Sequence, residues 1–299
     1  MRNYPNSKKA LSEEAYKDFQ AEMERLSRIK WHGYRKTLNE VGVSYIGGAN
    51  ISAKLKHNYS VNVLTYCIYL SAADNAFGLE VCGKETSKHC REFCLVKSGH
   101  AKVESLANQN KSFMARARRT MLFHANRSLF TKIADFELRR YMRYAEKNGY
   151  IFSVRFNCTS DISLETLKYA DGHNILQEFP SVTFYDYTKV PSRLSLANKY
   201  PNYSITFSFD GHNKANCMKW LSEGHNVAVV FKAMNIEEIP DSLWGYDVIK
   251  GDEYDARFLD PKGVIVGLKY KWGAQDYEKG KDGFFHFKGF PDSPFLISI

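Results

Sequence analysis

Two periods of apolar spacing divide this chain. Up to about residue 148, long stretches return an apolar side chain every three or four positions, the period of a helix buried on one face. In residues 10–40 the positions are Tyr16, Phe19, Met23, Leu26, Ile29 and Trp31, preceded by Ser12 and the acids Glu13 and Glu14. That start suits a helix N-terminus, because a carboxylate near unpaired backbone N–H groups is stabilised there. The stretch predicts one amphipathic helix packed on the main body. Lys102–Asn126 and Ser128–Asn148 predict two more helices. Between them and the N-terminus, Val61–Leu70 (VNVLTYCIYL) is rich in β-branched and aromatic residues and predicts a buried strand. It runs through SAADNAFGLEV into Cys82.

From Tyr150 the pattern shortens to apolar runs bounded by polar residues. IFSVRFN ends in Cys158-Thr-Ser-Asp161, and VTFY in Asp186-Tyr187-Thr188-Lys189. YSITFSF ends in Asp210-Gly211-His212, NVAVVF in Lys232, YDVIK in Gly251-Asp252-Glu253-Tyr254-Asp255, and VIVGL in Lys269. Intervening segments Ser163–Phe179, Asn213–Glu223 and Asn235–Trp244 read as helices. Strand–helix alternation implies a parallel sheet, whose sites form at strand C-termini. The expected fold is α/β, a complete or partial parallel (β/α) barrel in preference to an open sheet. It carries an N-terminal helical extension (1–46), a barrel-like domain (47–271) with a cysteine loop at 82–94, and a closing β-like segment (272–299).

Cysteine spacing adds chemistry to that outline. Cys82, Cys90 and Cys94 are spaced C-x7-C-x3-C, whereas Cys67, Cys158 and Cys217 are scattered and read as small buried hydrophobes. The N-terminus has no apolar signal core, and no apolar run approaches the ~18 residues of a membrane span. A cytoplasmic protein with no membrane partner is therefore expected. In a reducing compartment a tight cysteine cluster reads as metal-binding or catalytic. Three thiolates suit a [4Fe–4S] cluster with one iron open to substrate or cofactor. Zinc is the alternative, with His89, His100 or Cys158 as fourth ligand, and three metal-free thiols are the third option. The spacing matches neither a C-x2-C zinc half-site nor the C-x3-C-x2-C loop of ordinary radical enzymes. Phosphate-loop, dinucleotide-binding, zincin and serine-hydrolase motifs are all missing.

Net charge is +9, which favours an anionic partner such as a nucleotide, a nucleic acid or an acidic host protein. Arg116, Arg119 and Arg127 on the basic helices, with Arg193, are the candidate anion-binding residues, since the guanidinium fork suits phosphate and carboxylate. Solvated helix faces are the plainer reading of the same charges. Asp161, Asp186, Asp252 and Asp255, with Lys189, are candidate catalytic groups at strand ends; singly, such acids also cap loops.

The segments GGANISAKLKHN, LTYCIYLSAAD, EVCGKETSKHCREFCLVKSGHA, RRTMLFHANR, VRFNCTSDIS, FYDYTKVPSR and KGDEYDARFLDPKGVIVGLKYK together resemble a set of uncharacterised bacteriophage proteins, from about Gly47 to Lys271. That resemblance implies a phage origin and a site of action in the host cytoplasm. It also supports treating Cys82, Cys90 and Cys94 as a set. By layout alone, a strand, a cysteine loop and further strands with polar ends, the chain is similar to barrels of the radical S-adenosylmethionine type. Three functions follow as expectations. The first is an iron–sulfur enzyme, with S-adenosylmethionine as a cofactor candidate, acting on an anionic substrate. The second is a divalent-metal nuclease with a structural zinc, and the third is a non-catalytic protein that binds a host factor or nucleic acid.

Overall fold

In a computed structural model, the described residues are 12–71, 78–83, 90–91, 111–271, 277–279, 285–290, 293–294 and 296–298. The expected N-terminal helix is two helices, α1 (Glu13–Arg28) and α2 (Tyr34–Val41). The break comes at Gly33, the N-cap of α2, whose φ of +93° is a left-handed conformation that favours glycine. Ser12 caps α1 by accepting from the Ala15 N–H at 3.2 Å. The other end of α1 is satisfied from a distance. Asn126 Nδ2 donates to the carbonyls of Leu26, Ser27 and Ile29 at 3.0–3.2 Å. Phe19 and Leu26 of α1 are buried in the main core.

Next come β1 (Gly47–Ala49), the short helix α3 (Ala53–Lys56) and β2 (Val63–Ile68). Helices α4 (Lys111–Ala125) and α5 (Arg127–Lys147) follow, close to the predicted pair. The strand series is β3 (Ile151–Arg155), β4 (Thr183–Thr188), β5 (Tyr203–Ser208), β6 (Val227–Phe231), β7 (Ser242–Leu243), β8 (Tyr246–Lys250) and β9 (Ile265–Lys269). Helices α6 (Ile175–Glu178), α7 (Leu194–Lys199) and α8 (Lys214–Ser222) lie between some of them. The predicted helix over Ser163–Phe179 is mostly irregular, because the Asn174 side chain caps α6 in a reciprocal box with Gln177 and confines helix to the last turn. Asn235–Trp244 forms a 3-10 turn and β7 instead of a helix. In the closing segment, β10 (Tyr277–Lys279) pairs antiparallel with β11 (Phe285–Phe287), and β12 (Leu296–Ile297) joins β6 in parallel.

The described strands form a 10-stranded sheet in the order β1-β2-β3-β4-β5-β6-β9-β8-β7, with β12 beside β6. Strands β2 to β6, β9 and β8 are parallel, and the two edges are antiparallel. The sheet does not close: β1 and β7 do not pair, so a complete barrel is not formed among the described residues. It does curl. The Asp255 N–H donates to Asn58 Oδ1 at 2.7 Å, and Asn58 Nδ2 donates to Thr65 of β2 at 2.8 Å. In a flat sheet β8 and β2 would stand about 29 Å apart at ~4.8 Å per strand. The five residues from Lys250 reach about 17 Å fully extended. Only a sheet bent toward one face brings the two together.

That face differs from the other. Tyr66, Ile68, Val154, Phe184 and Ile205 point into the main core with Phe130, Ile133 and Leu138 of α5. A buried carboxylate pins this helix to the first strands. Glu137 accepts from Tyr34 OH (2.8 Å), Tyr66 OH (2.6 Å) and the N–H groups of Ile46 (3.0 Å) and Gly47 (2.9 Å). Burial still pushes its carboxyl pKa up, against these donors. Gly47 belongs here by space, since a Cβ would meet the Tyr66 ring at 2.3 Å. Replacing Glu137 with Gln turns one acceptor toward donors and is expected to cost about 1–3 kcal/mol. Urea unfolding of the E137Q protein measures it.

Candidate functional site

Parallel strands covered on both faces are usually apolar throughout. Here the face opposite α5 carries Thr65 and Cys67 from β2, Ser153 and Arg155 from β3, Tyr185 and Tyr187 from β4, and Ser204, Thr206 and Ser208 from β5. The side chains pair across the strands: Thr65 and Ser153 hydroxyls lie 2.9 Å apart, and Asn58 Nδ2 donates to Tyr185 OH at 3.3 Å. Burying polar groups costs free energy, and departures from an apolar pattern concentrate at functional sites.

Asp255 is the centre of this face. It is fully buried and arrives on the segment after β8. Arg155 NH1 donates to its Oδ2 at 2.6 Å, Tyr185 OH to the same oxygen at 3.2 Å, and Lys54 Nζ lies 2.9 Å from Oδ1. Burial alone would raise the carboxyl pKa, but Arg155 and Lys54 hold it well below the usual carboxylate range. The Tyr187 ring lies beside both cations, and Phe258 packs on Tyr185 at 5.5 Å between centroids. Arg257 follows two residues after Asp255 and pairs through Nε with Asp260 at 3.3 Å.

A second buried network stands on the helix side of the same strand ends. Asp186 lies inside β4, not beyond it as expected. It accepts from Asn157 N (3.0 Å), Asn157 Nδ2 (2.8 Å) and Tyr203 OH (2.8 Å), with Arg193 NH2 at 3.4 Å. Burial pushes its pKa up, opposed by Arg193 and these donors. Arg193 also bonds Asp161 and Tyr203 OH. Asp161 further accepts from Thr188 Oγ1 (2.7 Å) and the Lys189 N–H (2.8 Å). Its own N–H donates to the Val81 carbonyl at 2.8 Å, which seats Cys82 beside Asp161, in the segment that follows β3. The sequence suggests Asp186, Lys189 and Arg193 as one group; the structure links Asp186 to Arg193, and Asp161 to Arg193 and to the Lys189 backbone.

The cysteine loop starts beside Asp161. Glu80 Oε1 accepts from the Cys82 N–H at 2.9 Å, and its Oε2 lies 3.3 Å from Arg91 NH2. One carboxylate thereby draws the Cys82 and Cys90–Arg91 segments together. Cys82 is buried and Cys90 half-buried. Cys94, with the alternative ligands His89 and His100, lies outside the described residues. Among the described residues no three His, Cys, Asp or Glu side chains converge as a metal site.

The remaining candidates are placed elsewhere or otherwise engaged. Asp252 accepts from the Lys269 N–H at 3.1 Å and bridges β8 to β9. Arg119 is buried, stacks on Tyr45 and donates to the Tyr45 carbonyl at 3.1 Å, so packing occupies its fork. Arg116 is buried on α4, and exposed Arg127 covers the Phe123 ring. Lys54, Asn58, Arg155, Tyr185, Tyr187 and Arg257 were not singled out from sequence. Their signal is the alternation of polar with apolar residues in IFSVRFN and TFYDYT, and the lysine of GGANISAKLKHN.

Because the folded Asp255 carboxyl titrates below the ordinary value of about 3.9, its ion pairs contribute fully above that value, and the contribution declines as pH falls from there toward the depressed folded value. Asp255→Asn leaves Lys54 and Arg155 without a counter-charge and is expected to cost about 3–5 kcal/mol at neutral pH. The gap from the unsubstituted protein should narrow toward pH 3; denaturant titrations at several pH values measure both.

Comparison with known proteins agrees with a phage-type origin. Residues 43–284 match the model of an uncharacterised phage-type family described as Gene product 88. No curated protein and no solved structure matches the chain. No described helix is long and apolar enough to cross a membrane. With the match covering most of its length, this chain belongs to the Gene product 88 family.

Proposed function

We propose that this protein is a phage iron–sulfur enzyme whose reaction centre lies at the carboxyl edge of the curled sheet. The observation that carries the reading is the joint placement of Cys82 and the Cys90 segment, drawn together by Glu80, with Cys82 bridged to Asp161 past the end of β3. A site built on a strand end and a stapled loop is held more rigidly than one on a loop alone. Cys82, Cys90 and Cys94 are the residues that would hold a [4Fe–4S] cluster. When bound, a cluster on three thiolates offers one iron to a substrate or to a cofactor such as S-adenosylmethionine.

The chain's own residues then have separate tasks. Lys54, Arg155 and Asp255 form a charged, water-poor floor that orients an anionic substrate. The Asp161–Arg193–Asp186 network fixes the strand ends from which the cysteine loop starts. A divalent-metal nuclease has less support. Asp161, Asp186 and Asp255 each face an arginine, and Asp255 a lysine as well. Such pairing removes the excess negative charge that a hard cation needs. The contact-surface reading is weaker for a similar reason: Arg119 is turned inward, and Arg139 is paired with Asp135 and Glu178.

Protein purified without oxygen is expected to carry about four irons and four sulfides per chain, with a broad band near 400 nm. Cys82→Ala and Cys90→Ala should each reduce the iron to near background. Unsubstituted protein without iron or sulfide would defeat the proposal, and one zinc per chain would turn the loop into a structural staple.

A further inference from the structure

Unused hydrogen-bond donors collect around Tyr187. Lys54 Nζ and Arg155 Cζ lie 5.3 Å and 4.8 Å from its ring centroid. The Tyr187 hydroxyl, Arg155 Nε and Arg257 NH1 are buried and have no hydrogen-bond partner among the described residues. Arg155 is 8% exposed and Arg257 3%. The neighbouring carboxylates are engaged on one oxygen each, Asp255 Oδ2 by Arg155 and Asp260 Oδ1 by Tyr254 OH at 3.1 Å; Asp255 Oδ1 and Asp260 Oδ2 stand in ion-pair range of Lys54 and Arg257 without a hydrogen bond among the described residues. Lys54, Arg155 and Arg257 against Asp255 and Asp260 leave one formal positive charge. A buried donor without a partner forfeits its hydration. Unpartnered donors here, with Arg257 Nε, outnumber the two unpartnered acceptors, and with the surplus positive charge the cluster is short of an anionic acceptor.

We infer that the cluster of Lys54, Arg155, Tyr187 and Arg257 binds the terminal phosphate of a small phosphorylated substrate. A phosphate dianion supplies only acceptors, and its spread of oxygens matches two guanidinium edges, an ammonium and a phenol. Burial narrows the class further. A phosphate inside a duplex backbone cannot be withdrawn to the depth of Arg155, whereas a terminal phosphate can. The Lys54 side chain, 27% exposed, marks the solvent side.

The place of this phosphate in a reaction rests on the enzyme reading above; its binding does not. Titration calorimetry of the full chain with inorganic phosphate, at constant ionic strength, tests the binding directly. Saturable binding is expected, at least tenfold weaker in both Lys54→Gln and Tyr187→Phe, with acetate unable to compete. Tyr187→Phe removes only an unpartnered hydroxyl and so keeps the test valid if Lys54→Gln folds poorly. Absence of saturable binding, undiminished affinity in Tyr187→Phe, or equal displacement by acetate would overturn the inference. Iron-free protein that still binds phosphate would defeat the cluster proposal and leave this one standing.

Discussion

The buried contact of Asp255 with Lys54, Arg155 and Asn58 is the constraint on which the rest of the architecture depends. It joins the segment after β8 to the first parallel strands, and a flat sheet cannot make that connection. The curl that results turns one face inward and collects its serine, threonine, tyrosine and arginine side chains. A buried carboxylate between two cations is poor evidence of net stabilisation, because desolvation offsets much of the attraction. It is better evidence of specificity, since an unpaired Asp255 would be costly in any other arrangement of the strands.

The two faces of the sheet divide structure from chemistry. Toward α5 the strands present aromatic and aliphatic side chains, and the deep carboxylate of Glu137 is filled by four donors. Toward the segment 251–260 they present donors that exceed the acceptors available. The Asp161–Arg193–Asp186 network stands at the border. Hydrogen bonds from Arg193 join its two carboxylates, and through the Asp161 N–H it also sets the backbone at Val81, next to Cys82.

Much of this was legible in the chain. The parallel strands follow from β-branched runs such as VIVGL and NVAVVF, and Asp186, Lys189 and Arg193 stand close enough in the chain to read as one group, whereas nothing in the sequence links Asp161 to Arg193. Three features were not legible. Closure of the sheet is decided by curvature, which depends on a contact across 197 residues between Asn58 and Asp255. The fate of an arginine depends on which carbonyl it meets: Arg119 resembles an anion ligand in sequence and serves Tyr45 in the fold. Helical period over Ser163–Phe179 is overridden by the local capping preference of Asn174. The polar alternation within IFSVRFN was visible but pointed to no partner until the strands were side by side.

The most direct test of the account is anomalous diffraction at the iron absorption edge from crystals of the full chain grown without oxygen. The account expects one strong iron peak bound to Cys82 and Cys90 at the carboxyl edge, opening toward the face that holds Arg155 and Asp255. No iron signal at Cys82, or a peak on a different surface of the protein, would contradict it.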